Sequence, residues 1–564
     1  MRKGRSMNTQ DRILAGVMVL LWLLALAAIW VTSRQTDGIL VYGLDDAYIH
    51  MAIAKNLVHH AVFGITPYAF TPSSSSVFWT LLLAVFSIPF GPWESLPFVL
   101  NVLFGTLTII LSSHILRREK VPVPLTGAAL ILIVAGTPFV VLARGGMEHS
   151  LHAVLLLLFA WKSAELLARG PAHGRRQLLI LLGLAALMPL VRLESYALIF
   201  LVGGWLFLQG RWRLTVALAA CSVVPLVVFQ LVAFSHGWPL IPNSVLLRLP
   251  AVAIAAPGPA SLEQHGSSVF LRLWTSFLHN VQSAPELPAG AVFLAGGVLL
   301  PQFRRAGQSG RGTIFGLLAS MAIVSHLVCG NVGHLYRYEA YLYPLMVTGL
   351  CVAGTTIVPV LRQQTRTRKA ATLGAATVFA VISILLAVRG YRAAGDAVQA
   401  SVNIYEQQYQ MARFVEEKYD KEAVMLNDIG AVSFYSEARI IDLAGLANAE
   451  VTTAKRNRTF GPELIRHLAG VNGVRFAVLY EEWFQRDGYS ILPAKWEKVE
   501  EWQISHNIIC SHDRVAFFGT DSLSACSLRR RLDQFATSLP PTVVRRTFLH
   551  GEGVSRQPSA TARP

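Results

Sequence analysis

The chain has 564 residues, of which 53% are hydrophobic and only 15% charged, and its mean hydropathy is +0.47. Soluble domains carry about 25% charged residues, so these figures exclude an ordinary soluble enzyme, a disordered protein and a collagen. The net charge of +16 does not point to nucleic acid, because the basic residues lie mostly in short loops between apolar blocks, the pattern of membrane orientation, and no nucleic-acid-binding motif accompanies them. Five cysteines are too few for a disulfide framework, and no CxxC pair suggests zinc.

Arg2, Lys3, Arg5 and Arg12 precede the first apolar block, 13–33. That block exceeds the roughly 20 residues a membrane helix needs and has no small-residue cleavage site, so it reads as a retained helix with a cytoplasmic N-terminus. Further blocks follow at 75–91, 95–116, 122–143, 150–168, 178–191, 194–210, 214–234, 287–302, 313–329, 340–361 and 371–388. The basic clusters Arg117 to Lys120, Arg169 to Arg176, Arg211 to Arg213, Arg304 to Arg311 and Arg362 to Lys369 read as cytoplasmic. Residues 34–74, 144–149, 192–194, 235–286, 330–339 and the chain after 388 then lie outside. For Arg117 to be inside, blocks 75–91 and 95–116 must together cross an odd number of times, so one of them is short, re-entrant or interfacial. The expected fold is an α-helical polytopic membrane protein of about 11–13 transmembrane helices with a C-terminal extracytoplasmic α/β domain.

Residues 1–388 form the expected multi-pass domain, 389–527 the α/β domain, and 528–564 a basic, disordered tail rich in Arg, Ser, Thr and Pro. Within the α/β domain, 405–418 reads as a polar helix, Ala423 to Leu426 as a strand and Asn427 to Gly430 as a turn. Arg439 to Leu443 and Val474 to Leu479 read as further strands, and 502–519 as a hairpin. The Asp-Ile-Gly turn is a weak nucleotide signal, equally explained by tight backbone geometry. Cys510 and Cys526 flank the hairpin, and an oxidising compartment would allow them to pair.

The stretch that carries chemistry is Gly43 to Asn56, with adjacent carboxylates Asp45 and Asp46 just beyond the first membrane helix. If 46–59 is helical, Asp45, Tyr48, Ala52, Lys55 and His59 share one face. That suggests a helix along the membrane surface with its acids over a cavity. Adjacent residues diverge by about 100°, so one acid works while the other orients it or holds a cation. The structural alternative is an N-cap and a favourable first-turn acid. Glu148 at one predicted outer helix end, Arg192 and Glu194 in an apolar run, and His334, Tyr336, Arg337 and Glu339 at another outer end add polar groups on the same predicted side. A carboxylate at that boundary can take a proton from an acceptor hydroxyl, and arginines can hold a phosphate. Nucleotide sugars are not expected outside the cytoplasm, so the layout suits glycosyl transfer from a lipid-linked sugar.

Asp45-Asp46-Ala47-Tyr48-Ile49 resembles the acidic motif of GT-C fold glycosyltransferases, polytopic enzymes that use polyprenyl-phosphate sugars. The pattern is closest to the bacterial arabinofuranosyltransferase-like and mannosyltransferase-like members. Ala69 to Trp79, Gly146-Met147-Glu148, Val191 to Glu194, Gly237 to Ser244, Asp428 to Ala431 and Ile441 to Leu446 resemble further family elements, in order, across about residues 13–450. A run of four serines, Ser73 to Ser76, stands where Glu-Gly is usual. The resemblance implies an inverting transfer with no covalent enzyme intermediate. Asp45, or else Asp46, would be the general base, and Arg192, Arg337 or Arg248 would stabilise the leaving phosphate. Tyr48, Lys55, Glu148, Glu194, Asn243, His334 and Tyr336 would help bind substrate. A divalent cation, Mg or Mn, on Asp45 and Asp46 fits the acidic pair, although hard cations want several oxygen ligands. The implied partners are a polyprenyl-phosphate sugar donor, a glycan, lipid or protein acceptor and membrane lipid, at a bacterial inner membrane. A lipid-linked sugar flippase would instead predict internal repeats and broken helices, and a non-catalytic scaffold would predict no acidic cluster at 45–46.

Overall fold

The computed structural model describes residues 8–169, 174–246, 271, 273–299, 310–361, 367–486 and 489–548. The chain divides into two compact units, one of residues 1–31, 97–228 and 257–397, the other of 32–96, 229–256 and 398–564. The expected boundary at 388 therefore moves. The helix Thr367–Ile404 runs through it, and the segment 32–96 belongs with the C-terminal domain.

The first unit is helical. Among the described residues, seven helices of the chain are long and apolar enough to cross a membrane: Thr9–Ser33, Leu96–Arg118, Val123–Gly145, His149–Ala168, Trp212–Ser235, Arg311–Cys329 and Ala376–Tyr419. Ser195–Leu208, Glu286–Gly296 and Leu342–Thr355 are shorter apolar helices. His149–Arg169 lies at the centre, packed against Arg311–Cys329, which also touches Glu286–Leu299, Leu342–Leu361 and Ser195–Leu208. Thr9–Ser33 and Trp212–Ser235 are peripheral, and they expose Leu23, Leu26, Trp30, Val224 and Leu231. Such a continuous apolar shell is the surface of a protein whose solvent is lipid. At one end the charges expected to be cytoplasmic meet. Arg117 pairs with Asp11 (2.6 Å), and Arg311 pairs with Glu119 (2.6 Å) and Glu165 (3.4 Å) while stacking on Trp161.

The second unit is built on a six-stranded sheet, β1 (Ala423–Leu426), β2 (Arg439–Asp442), β3 (Phe476–Leu479), β6 (Glu497–Gln503), β7 (Arg514–Gly519) and β8 (Val544–Thr547), in the order β2-β1-β3-β7-β6-β8. β4 (Gln485–Arg486) and β5 (Tyr489–Ser490) make a separate small hairpin. β2, β1 and β3 are parallel, and the remaining pairs of the main sheet antiparallel. β1 and β3 are short apolar runs because both their faces are covered, whereas the edge strand β2 has charged ends. Met425, Ala477, Leu479, Ala516 and Phe518 pack with Val451, Ile465 and Leu468 from the helices Ala449–Arg456 and Pro462–Asn472. On the opposite face Phe476, Phe517 and Trp502 pack around Phe414 and Phe535, from the helices Gln410–Tyr419 and Ser522–Phe535. The alternation follows the two-residue period of a strand.

The proposed tail from 528 is a correction. Ser522–Phe535 is one helix, with Leu528, Leu532 and Phe535 buried as an apolar stripe among its arginines. β8 then pairs with β6, and Arg545 grips Glu500 with two hydrogen bonds of 2.6 and 2.7 Å. The hairpin holds, but its first strand begins at Glu497. Cys510 and Cys526 are both free. Cys510 donates to Gln408 Oε1 (3.3 Å), and Cys526 is exposed on the Ser522–Phe535 helix. Tyr405–Tyr409 forms a π turn between Thr367–Ile404 and Gln410–Tyr419. Helix Val77–Phe90, also in this unit, has 14 residues, a rise of about 21 Å against a hydrocarbon core of about 30 Å. Of the two blocks 75–91 and 95–116, only the second, as Leu96–Arg118, has the length of a full crossing.

Candidate functional site

In the second unit the helix Asp46–His60 forms where the sequence places it. The face shared by Asp45, Tyr48 and Lys55 does not open on a cavity, however. It is covered by the helix Gly430–Tyr435. Tyr48 packs its ring on Phe434 and Tyr435, and its hydroxyl accepts the Tyr42 N–H (3.1 Å). Lys55 donates to the Phe434 carbonyl (2.6 Å) and lies over the Phe434 ring. Both residues join two helices, and burial lowers the Lys55 ammonium from its ordinary value. The reason for this packing is aromatic: Phe434 and Tyr435 offer the helix an apolar surface that sequence periodicity within 46–59 alone cannot show.

Asp45 is buried at the start of this contact. Its Oδ2 accepts the Gly430 N–H (2.6 Å) and its Oδ1 the Ala431 N–H (2.8 Å), two of the orphan amides at a helix start. Gly430 is required here. A Cβ on it would overlap the Asp45 carbonyl oxygen and lie 2.5 Å from Oδ2. Burial pushes the Asp45 carboxyl well above the usual carboxylate range, and the neighbouring Asp428 pushes it further, against the lowering effect of the two amides. Asp46, half-buried, is the first residue of the helix, where the dipole favours an acid.

The place matters. β1 leads to β2 on one side, and the chain returns to β3 on the other, so the gap between the carboxyl ends of β1 and β3 is a topological switch point, the usual ligand position in an open parallel sheet. Asn427 and Asp428 leave β1 there and Tyr480 leaves β3. Asn427 Oδ1 accepts the Tyr480 N–H (3.0 Å), and Asp428 Oδ2 accepts from Gln408 Nε2 (2.8 Å) and the Tyr480 hydroxyl (3.0 Å). Tyr480 also contacts Gln407 Oε1 (2.6 Å), and Gln407 donates to the His512 carbonyl (3.2 Å). Sequence reasoning marked Asp428 in a tight turn and a family-like element, and Cys510 only as a disulfide candidate, and it missed Gln408 and Tyr480. The available signal was an Asn-Asp pair closing a buried strand, followed two residues later by glycine.

Asn243 lies in this unit too. Its amide donates to Gly445 O (3.0 Å), Leu446 O (3.4 Å) and Thr452 Oγ1 (3.2 Å), and so fixes the loop after β2. The four serines are likewise engaged. Ser73 contacts Leu446 O, Ser74 bridges His50 and Thr80, Ser75 meets His50 Nε2, and Ser76 caps Val77–Phe90. Arg248 lies outside the described residues.

The polar residues of the first unit form their own cluster. Arg192 is buried between Glu148 (3.0 Å) and Glu194, with its guanidinium over Tyr338. The two acids share the guanidinium, Glu194 through Nε and Nη2 and Glu148 through Nη1. Replacing Arg192 with leucine removes the 3.0 Å ion pair it makes with the buried Glu148, and we expect a lower melting midpoint in detergent. His334 stacks on Tyr338, and Arg337 is buried with its guanidinium over the same ring (5.1 Å). Gly333, His334, Leu335 and Tyr336 have successive φ values of 95°, 47°, 59° and 60°. A left-handed turn costs L-residues about 1–2 kcal/mol each. It is held by Tyr336 donating to Asp396 (2.6 Å), the Gly333 N–H donating to Glu339 (2.8 Å) and Arg389 gripping Glu339 (2.5 Å). Strained turns this heavily anchored concentrate at functional sites.

Both Asp45 oxygens already accept N–H donors, and among the described residues no group of three or more His, Cys, Asp or Glu could hold a metal ion.

A family model described as a domain of unknown function (DUF8728) matches residues 402–518. Comparison with curated proteins gives no match. Among solved structures the chain is similar to ArnT from Cupriavidus metallidurans in the apo state, with 14% identity, 90% of this chain and 99% of that one covered, and a TM-score of 0.48. It is similar to the same protein bound to undecaprenyl phosphate, with 14% identity, the same coverages of 90% and 99%, and a TM-score of 0.45. It is similar also to the Archaeoglobus fulgidus oligosaccharyltransferase in complex with Zn and sulfate, with 13% identity, 94% and 74% covered, and a TM-score of 0.45.

Proposed function

We propose that the protein is an integral-membrane glycosyltransferase that moves a sugar from a polyprenyl-phosphate donor to a cell-envelope glycan, lipid or protein acceptor. It works at the outer face of a bacterial inner membrane, with its N-terminus in the cytoplasm and its sheet domain outside. Asp45 is the general base. The observation that carries this reading is the Asp45 carboxyl, buried at the switch point of a parallel sheet, fixed by two backbone amides and raised in basicity by burial and by Asp428. A fixed carboxylate of raised pKa is a stronger base than an exposed one. It takes the proton of the acceptor hydroxyl while the oxygen attacks the anomeric carbon. The bond from that carbon to the phosphate oxygen breaks, polyprenyl phosphate leaves with the electron pair, and the sugar inverts. The apolar shell of the first unit suits a donor that arrives through the lipid.

The test is release of undecaprenyl phosphate by the purified, lipid-reconstituted protein. The donors are undecaprenyl-phosphate mannose and undecaprenyl-phosphate arabinofuranose, each with and without an envelope extract as acceptor. Acceptor-dependent release is expected with one donor. Release from neither, by protein shown to be folded, would overturn the reading.

A further inference from the structure

The carboxyl ends of β1 and β3 carry groups that the transfer chemistry does not use. Asn427, the residue after β1, is 5% exposed, and its Oδ1 accepts the Tyr480 N–H (3.0 Å). Its Nδ2 has no hydrogen-bond partner among the described residues. A buried donor left unspent is costly, and this one stands at the switch point, where ligands of open parallel sheets bind. Asp45 meets the same turn three and four residues further on, at Gly430 and Ala431.

A second observation comes from the other strand. β3 runs through Tyr480 into the one-turn helix Glu481–Phe484. That turn is firmly held. Phe484 is buried and its carbonyl accepts the Ile491 N–H (2.7 Å), Glu481 pairs with Lys498 (2.6 Å), and the Trp483 N–H donates to the Tyr480 carbonyl (3.1 Å). Trp483 itself is 44% exposed, so a fixed backbone holds an indole out in solvent. Its ring lies 5.8 Å from that of Tyr480, and the Tyr480 ring lies 5.7 Å from that of His512. Leu479 of β3 pairs with Ala516 of β7, which puts the loop carrying His512 at the same end of the sheet. His512 Nδ1 is 3.9 Å from a Glu482 oxygen. An aromatic face, an imidazole, a carboxylate and an unspent amide donor therefore gather around Tyr480, all within the second unit.

We propose that this end of the sheet binds a sugar ring of the acceptor, which makes the acceptor a carbohydrate. A sugar ring offers C–H bonds on its face and hydroxyls around its edge. The face stacks on Trp483, Glu482 and His512 take hydrogen bonds from the edge, and a hydroxyl entering between the strand ends accepts from Asn427 Nδ2. The membrane interface, the other usual place for an exposed indole, fits less well. Interfacial tryptophans keep company with lysine and arginine, whereas Glu481–Phe484 carries two acids and no base, which anionic headgroups repel. That the sugar is the acceptor's rests on the glycosyltransferase reading; that a sugar binds does not.

Saturation-transfer difference NMR of the intact protein in lipid nanodiscs tests the site without turnover, with mannotetraose, arabinotetraose and chitotetraose as probes. The wild type should transfer saturation to the ring C–H protons of one of them. Trp483→Ala should weaken binding about 10-fold, and Trp483→Phe should restore much of it. Asn427→Asp keeps the acceptor for the Tyr480 N–H, removes the donor and should also weaken binding. No transfer to any probe, or wild-type transfer in both Trp483→Ala and Asn427→Asp, overturns the proposal. So does quenching by brominated phosphatidylglycerol that falls in Trp483→Phe, since the indole would then lie in lipid. In turnover with the active donor, Trp483→Ala should raise the acceptor KM about 10-fold with little change in kcat, because stacking away from the reacting bond holds ground and transition states alike. Sugar binding with an unchanged acceptor KM overturns the assignment to the acceptor. Sugar binding with no turnover from either donor supports the site and overturns only the transferase reading.

Discussion

Gly430→Ala should prevent the protein from accumulating as a folded species. The added methyl group would overlap the Asp45 carbonyl oxygen and sit 2.5 Å from its carboxylate, and the first of these is backbone that cannot rotate away. To admit the methyl, the two helices must separate, which breaks both amide hydrogen bonds to Asp45. Each buried polar group left unsatisfied costs about 1–3 kcal/mol, and overpacking adds about 1–3 kcal/mol. The total rivals the 5–15 kcal/mol or so by which domains are stable. Membrane yield and the size-exclusion profile in detergent measure it. Gly470→Ala is the internal control: it lies on the helix Pro462–Asn472 with nothing within 4 Å of a new Cβ. Alanine there should be neutral or stabilise by up to about 1 kcal/mol. Equal yields for wild type and Gly430→Ala would mean that Asp45 and Gly430 do not approach each other this closely.

Asp45→Asn should abolish most transfer, by about 10²–10⁴-fold in kcat, while the chain still folds. Its carbonyl oxygen can keep one of the two amide hydrogen bonds, so the stability loss is confined to about 1–3 kcal/mol. The pH behaviour separates the two effects. A base held above the usual carboxylate range by burial is protonated at higher pH than an ordinary aspartate, so wild-type turnover should begin to fall at correspondingly higher pH. Stability moves the other way. A carboxyl whose pKa is higher folded than unfolded binds its proton more tightly in the folded state. Its contribution is complete below the unfolded value and is lost as pH rises through the folded one. Wild-type melting temperature should therefore decline across that rise, and Asp45→Asn, which cannot ionise, should show a flatter profile. Identical slopes would sink the assignment of a raised pKa to Asp45.

Much of the architecture was legible because its signals are local. The long apolar blocks, the basic clusters between them, β1, the turn after it and the helix at 46–60 depend on nearest neighbours in sequence. The errors arose where distant segments decide. Leu528, Leu532 and Phe535 look like sparse apolar residues in a basic tail until a sheet face is supplied for them. Nothing near Arg192 in sequence shows that Glu148 meets it from another helix. The acidic motif points to Asp45, but the amides that hold it come from positions 430 and 431, and no spacing rule links residues that far apart. Gln408 and Tyr480 carry no motif at all, because their role exists only where the ends of two strands meet.

The π turn at Tyr405–Tyr409 has a consequence for how this chain tolerates change in length. A π turn is an α-helix that has absorbed one additional residue, and it is kept only where that residue serves something. Deleting a single position from 405–409 would let the helix relax to ordinary winding and swing everything on one side of the deletion by about 100° relative to the other. Gln407 and Gln408 would then no longer point at Tyr480 and Asp428. Related chains that differ by one residue in this stretch should accordingly differ around Asp428 and Tyr480, and an insertion or deletion there marks a change at this place more clearly than any single substitution nearby.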